Sequence, residues 1–339
     1  MRLGTLELGT PVYLAPMAGV TNEAFRRLCR EQGADVVMSE MVSARALVMG
    51  NERTRAMLGV AEDEHPVAIQ LFGSEPDVVA EAAVRAEAAG ADIVDLNLGC
   101  PVDKIVRGGS GAALLRDPER AAAVVERAAR AVRVPFTVKM RAGWDSVTAP
   151  DIARRLADAG ARAIAVHCRT REQQYRGRAD WTILERVRAA VPNSVYVIGN
   201  GDIASAEDAL EVVRRHGADG VMVGRGALGN PWVFADIAAA LRGREGKRRT
   251  AGWGERLDTL RRHMQLLVDL KGEALAVVEI RRHAAHYVRD MPGAAQARVR
   301  LQRAPTAEAF FAEVERYREE LSSLGEAPAA DGTATAAGG

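Results

Sequence analysis

The sequence predicts a (β/α)8 barrel of the TIM type followed by a small all-helical domain. Three observations carry the prediction. Eight short apolar runs rich in β-branched residues recur between Val12 and Gly226. Amphipathic, Ala-rich stretches of helical period separate them. After Leu241 the strand-like runs cease and only helical periodicity remains. Eight strand–helix alternations over about 230 residues match the count and length of such a barrel. A doubly wound sheet, with its usual five or six strands, fits less well.

The predicted strands are Val12–Met17, Asp35–Met41, Pro66–Phe72, Ile93–Gly99, Pro135–Arg141, Ala163–Arg169, Val195–Gly201 and Gly220–Gly226. Their apolar residues fall on both faces, as expected of parallel strands covered by helices. Helix starts are marked by Ser74 with Pro76, by Asp117-Pro118 and by Ser205. Gly90, Gly160 and Gly217 stand where helices should end. The segment LRGREGKRRT from Leu241 reads as a charged linker. Helical periodicity resumes at Leu257–Leu270, Ala274–Arg289 and Thr306–Leu324. The expected organisation is a catalytic barrel at 1–241, a helical domain at 242–325 and a low-complexity, disordered tail at 326–339.

Composition excludes several classes. Apolar residues make up 48% and charged residues 27% of the 339, close to a globular average. No apolar run is long enough to span a membrane, and MRLGTLELGTP lacks the apolar core of a secretory signal. The expectation is a cytoplasmic protein. Cys29, Cys100 and Cys168 are too few and too widely spaced for a disulfide framework or a zinc site. The ordinary reading of each is a small buried hydrophobe. The net charge of +1 conceals an asymmetry. Residues 1–240 carry net −2, residues 241–303 net +8 and residues 304–339 net −5. A basic segment of this kind suits an anionic partner, or is a solvated helix face.

In these barrels the chemistry lies at the C-terminal strand ends, and here polar residues interrupt the apolar runs there. Lys139 lies inside PFTVKMR, where an unpaired cation is expensive to bury. A ligand that accepts its charge, or a structural ion pair, would explain it. GNGD and GRG after strands seven and eight suit phosphate. GRGALG at 224–229 matches G-x-G-x-x-G but falls on the eighth strand, where it does not open a dinucleotide fold. Cys100 follows Asn97-Leu98-Gly99 and precedes the Gly-rich segment KIVRGGSGAALL, which implies a mobile or tightly turned loop. A thiol so placed can act as nucleophile or proton donor. A donor must stay protonated, and Lys104 or Arg107 would oppose that on approach.

APMAG, SEMVSARAL, QLFG, NLGCP, VKMR, HCRTR, GNGDI and GRGALGNPW, in this order, closely resemble the tRNA-dihydrouridine synthases, with the bacterial B-type branch nearest. The resemblance runs from about Leu3 to Tyr317, and EIRRHAAHY and PGAA resemble the helical domain of that family. It implies an FMN enzyme, reduced by NADPH, that converts uridines of the tRNA D-loop to 5,6-dihydrouridine. Hydride passes from the flavin to C6 and a proton from Cys100 to C5. Carried over, Pro16, Met17 and Ala18 line the isoalloxazine, Gln70 contacts it, and Lys139 stands near its N1/O2 edge. His167 serves both cofactor and substrate. Asn200, Gly201, Asp202, Gly224 and Arg225 hold the phosphate end. Asn97, His167 and Arg169 surround the uracil, while Arg281, Arg282 and Arg289 meet tRNA. The partners implied are tRNA and NADPH, with no metal, no membrane and a monomeric protein. Cys168 departs from a position often held by Gly, and would crowd the pocket or be neutral. Two other readings stand beside this one. One is a flavin barrel acting on free pyrimidines, and the other an RNA-binding module with a vestigial barrel.

Overall fold

A computed structural model describes residues 1–244 and 251–325. The predicted tail at 326–339, and 245–250 of the predicted linker, lie outside the described residues. These residues form two compact units: 1–227 with 233–244, and 228–232 with 251–325.

The first unit is a barrel. Its strands are β1 (Val12–Leu14), β2 (Val37–Met38), β3 (Val67–Phe72), β4 (Ile93–Leu98), β5 (Phe136–Arg141), β6 (Ala163–His167), β7 (Tyr196–Asn200) and β8 (Gly220–Val223). All neighbours pair in parallel, in chain order from β2 through β8, and β8 pairs with β1. A bridge between Tyr13 and Val36 closes the ring, with Leu14 N–H donating to Val36 C=O at 2.9 Å. Each predicted strand contains an observed one. The first is shorter than expected, ending before Pro16, which has no N–H to offer a ladder. The second breaks up, and Val42–Ser43 pairs separately with β3.

Helix punctuation follows the residues. Asp117 and Ser205 accept from the N–H of Arg120 and Asp208 at 3.0 and 3.1 Å. Gly90, Gly160 and Gly217 all take positive φ just beyond helix ends, a conformation that costs other residues. Ser74 does not cap. The helix Pro76–Ala88 starts one residue later, after Glu75, and the Ser74 carbonyl accepts from Arg120 Nε at 2.7 Å.

The barrel interior has a polarity along its axis. Tyr13, Val36, Ala68, Ile93, Ala163, Ala165, Ile198 and Met222 form its buried apolar layers. The N-terminal hairpin of Arg2–Leu3 and Leu6–Glu7 adds Leu3, with Met1, Leu6 and Leu8 packed against the cluster. No predicted strand covers this hairpin. Two residues further along the same strands, the inward positions turn polar. Gln70, Asp95, Asn97, Thr137, His167 and Asn200 are all buried.

Among the described residues the second unit has four helices: α1 (Trp253–Lys271), α2 (Glu273–Tyr287), α3 (Ala294–Arg303) and α4 (Ala307–Ser322). α3 lies in a stretch that had no predicted helix. His263, His283 and Tyr287 meet inside, the two imidazoles 4.4 Å apart. Burial holds both histidines far below their ordinary pKa, so they are neutral core residues. No described helix is long and apolar enough to cross a membrane.

One ion pair in the barrel wall is fully buried. Arg26 donates to Glu64 through Nε at 2.7 Å and Nη2 at 2.9 Å, and to the carbonyls of Thr21 and Gly59. Glu64→Ala leaves a buried guanidinium without its carboxylate and lowers the unfolding free energy by about 3–5 kcal/mol. Urea denaturation reads this directly. A loss below about 1 kcal/mol, the range of an exposed pair, would mean that the carbonyl partners alone satisfy Arg26.

Candidate active site

The site grows from the C-terminal end of β4. The strand carries Asp95 and Asn97 on its inward face, and Cys100 follows two residues after it ends. Asn97 Oδ1 accepts from the N–H of Gly99 at 3.0 Å and of Cys100 at 2.8 Å, an Asx-type turn that brings the chain sharply out of the strand. The Gly-rich segment after Cys100 is tightly turned. A short helix, Asp103–Arg107, leads to a 3-10 turn at Gly111–Arg116. Gly111 has φ +62°, and a Cβ there would lie 3.0 Å from the Cys100 carbonyl and 3.2 Å from its Cβ. Only glycine suits both demands.

Cys100 is 8% exposed. Burial pushes its thiol above the ordinary range. The Val102 N–H, Arg141 and Lys139 pull it back only in part. The opposing cations therefore come from β5, not from Lys104 or Arg107. The thiol is protonated at neutral pH, as a proton donor requires. Cys29 and Cys168 are also free and buried, and burial raises both. The Cys168 thiol turns to the Val166 carbonyl at 3.6 Å, within the strand wall. Its contact is therefore with backbone.

Lys139 stands beside Asn97 in the β4–β5 register. Among the described residues it has no hydrogen bond and no ion pair, so the structural pair that could have explained it is not formed. Burial lowers its pKa to about 8, and Arg141 pushes the same way against the attraction of Asp95. Arg141, two residues on, is 3% exposed. It donates to the carbonyls of Gly99 at 3.0 Å, Thr170 at 2.9 Å and Gln174 at 2.9 Å. It thus ties the Cys100 turn to the loop after β6.

His167 closes β6. Burial, then Lys139, Arg141 and Arg169, hold its pKa far below the ordinary value. Its ring is neutral, and Nδ1 is buried without a partner. Asn200 ends β7 and donates to the Met222 carbonyl at 2.7 Å. Gly201 has φ +111°, and a Cβ there would sit 2.9 Å from Ala179 and 3.5 Å from His167 Cε1. At the β1 and β8 ends, Ala15 N–H donates to Val223 C=O at 2.8 Å. This brings Pro16, Met17 and Ala18 alongside Gly224, whose missing side chain faces Met17 Sδ at 3.7 Å.

Asp202 is bound by two arginines. Arg169 Nη1 donates to it at 3.0 Å, Arg169 Nη2 donates as well, and Arg225 Nη2 donates at 3.1 Å. Burial alone would raise its pKa, but these bonds and that of the Ala179 N–H outweigh it and hold the carboxyl below its usual range. Arg169 is 2% exposed. Its other donors go to the carbonyls of Arg176 and Gly177. Its guanidinium is a strut inside the loop, with no face open to a ligand. Arg225 is exposed.

Two residues near the site are not singled out by the sequence pattern. Asp95 is hidden inside an apolar run, and Tyr175 lies in an arginine-rich loop. Tyr175 is 58% exposed. Its ring takes Arg225 at 4.7 Å and Arg141 at 5.6 Å, and stands edge-on to His167 at 6.2 Å. A lone aromatic among four arginines was the available signal.

In the helical unit, Arg282 and Arg289 are exposed, and Arg289 Nη2 lies 2.8 Å from His286 Nδ1. Arg281 is half-buried, with its Nε wholly buried and Nη2 directed at the Ala304 carbonyl at 3.4 Å. Much of the basic excess is cancelled locally. Arg261 pairs with Glu315, Lys271 with Glu279, and Arg300 with Glu313 and Glu320. Arg298 and Arg303 of α3 are exposed, with no ion pair among the described residues.

A buried thiol and a lysine that makes no ion pair among the described residues thus stand together at the C-terminal mouth of a (β/α)8 barrel, the end where such barrels carry their active sites. The family model for dihydrouridine synthases (Dus) matches residues 13–322. The chain belongs to that family. It is 42% identical over 313 residues to a Rickettsia prowazekii protein named "Probable tRNA-dihydrouridine synthase", covering 91% of this chain and 94% of that one. It is 37% identical over 332 residues to "tRNA-dihydrouridine synthase B" of Xanthomonas axonopodis pv. citri, covering 95% and 96%.

The thiol environment is directly measurable. The alkylation rate of Cys100, followed by peptide mass spectrometry, should still climb with pH above the ordinary thiol pKa of about 8.5. Cys29 and Cys168 should label only on denaturation. A Cys100 rate that levels off below that pH would contradict the protonated donor.

Proposed function

We propose that this chain reduces uridines in the tRNA D-loop to 5,6-dihydrouridine, with FMN as bound cofactor and NADPH as its reductant. The observation that carries the reading is a buried, protonated Cys100 close to a Lys139 that has no hydrogen-bond or ion-pair partner among the described residues. The residues present fit FMN. Lys139 offers an unneutralised cation, His167 an orphaned buried nitrogen, and Gly224 a backbone without a side chain beside Met17.

In this reading Pro16, Met17 and Ala18 hold the isoalloxazine. Gln70, Lys139 and His167 meet its polar edge, where Lys139 favours negative charge. Asn200, Gly201, Gly224 and Arg225 hold the phosphate end. Asp202 belongs to that end as the anchor of Arg225, since a carboxylate would repel a phosphate it touched. The chemistry FMN supplies when bound is hydride transfer, here to C6 of the uracil. Cys100 delivers the proton to C5, and Arg141 and Lys139 stabilise the thiolate that remains. Asn97 and neutral His167 orient the base. Arg169 serves the pocket indirectly, by bracing Asp202 and the loop that carries Tyr175.

A base inside folded tRNA must be extruded to reach a barrel mouth, at a cost of a few kcal/mol. Phosphate contacts can offset part of this. Arg282 and Arg289 are the exposed cations proposed for that role, while Arg281 supports the α2–α3 packing. With 15 aromatic residues in all and no paired exposed aromatics among the described residues, recognition is led by shape and phosphate. We place the activity in a monomeric, cytoplasmic protein of catalytic barrel and tRNA-binding helical domain.

Incubation with NADPH and tRNA from cells lacking these enzymes should yield dihydrouridine by nucleoside mass spectrometry. Cys100→Ala should lower the rate at least about 100-fold, the scale of a lost general acid. A yellow protein that oxidises NADPH yet modifies no tRNA would overturn the substrate and leave the barrel chemistry. Arg282→Ala with Arg289→Ala should raise KM for tRNA and flatten its salt dependence by about two contacts. An unchanged salt slope would remove these residues from the interface.

A further inference from the structure

We propose that Asp95 is a positioning residue: its carboxylate sets the polarity of the Gln70 and Asn97 side-chain amides and so holds Asn97 on the backbone of Cys100. The four groups form one chain of hydrogen bonds under the site. Gln70 Nε2 donates to Asp95 Oδ2 at 2.8 Å, and Asn97 Nδ2 donates to Gln70 Oε1 at 2.8 Å. Asn97 Oδ1 then accepts from Cys100 N–H at 2.8 Å and Gly99 N–H at 3.0 Å. The second oxygen of Asp95 accepts from Thr137 Oγ1 at 2.6 Å. Strand register builds the chain, since Gln70, Asp95 and Thr137 are paired neighbours on β3, β4 and β5.

The ends of this chain decide its sense. Each side-chain amide has one donor end and one acceptor end, and could point either way. An ionised carboxylate only accepts, and a backbone N–H only donates. With Asp95 at one end and Cys100 at the other, only one orientation of both amides leaves no buried group unsatisfied. Reversing either would set donor against donor or acceptor against acceptor. An amide at position 95 would remove that directionality while keeping the shape.

Packing gives no reason for an acid there. Asp95 is 2% exposed, and burial raises its pKa to about 6, so ionisation costs stability. Neither oxygen is free to meet a ligand. The role left for it is to fix where Cys100 stands, and its effect on turnover rests on the reaction proposed above.

The test uses the full chain and two readouts. Hydrogen exchange of the peptide containing Gly99 and Cys100 reports the Asn97 bonds without any substrate. Dihydrouridine formation reports kcat and KM. Asp95→Asn should speed exchange at Gly99 and Cys100 while the rest of the barrel exchanges as in the parent. It should lower kcat about 10- to 100-fold, the scale of a small misplacement of a reacting group, and leave KM for tRNA unchanged. Thr137→Val keeps the carboxylate and should keep the protection. Asp95→Asn combined with Gln70→Glu moves the acceptor-only group one link along, where it again faces donors on both sides, and should restore the protection.

Parent-like exchange and kcat in Asp95→Asn would overturn the proposal. So would a rise in exchange spread over the whole barrel that the double variant fails to reverse, since that is a purely structural acid. If the parent makes no dihydrouridine, the proposed function fails, and the exchange data alone still decide the role of Asp95.

Discussion

Positive charge crowded into the mouth of the barrel is the constraint on which the site depends. Lys139, Arg141 and Arg169 approach one another there, with Asp95 and Asp202 as the nearby acids. Asp202 is bound by Arg169 and Arg225, and Asp95 by neutral donors. Lys139 is left over. Its surplus charge helps keep His167 neutral, while burial and the neighbouring Arg141 lower its own proton affinity. Yet it only partly offsets the burial of Cys100. Burial thus keeps the Cys100 thiol protonated against that imbalance of charge, and leaves Lys139 a cation without a carboxylate of its own among the described residues.

Arg141 turns that imbalance into architecture. The same guanidinium holds the Gly99 carbonyl, the Thr170 and Gln174 carbonyls and the face of Tyr175. The turn bearing the thiol and the loop bearing the exposed aromatic are therefore one mechanical piece.

Periodicity made the fold readable. Runs such as PVAIQLF and AIAVHCR show apolar strands, and their polar interruptions mark the inward positions near the mouth. Gln70, Asn97, Lys139, His167 and Asn200 were legible on that ground. Sequence shows which face a residue occupies, but not its partner. Arg169 and Arg281 looked like ligand-binding cations, yet their guanidinium groups turn toward internal acceptors. Asp95 was missed because IVDLNL reads as one apolar strand, and its meaning lies in Gln70 of the strand before and Thr137 of the strand after. Tyr175 was missed because a lone loop aromatic has no period. The basic character of 241–303 was plain, but its neutralisation by Glu313, Glu315 and Glu320 required knowing that α4 packs in the same unit.

That arrangement of charge bears on how the chain is made. Translation runs from the N-terminus, and domains fold largely as they emerge. The barrel is complete before the basic helices appear, and α1 to α3 appear before the acidic helix that answers them. Until α4 has left the ribosome, Arg261 and Arg300 have no carboxylates, and the nascent chain shows its full positive field to the ribosomal RNA around it. Premature termination within α4 would fix the chain in that state, as a folded barrel trailing an unshielded polycation.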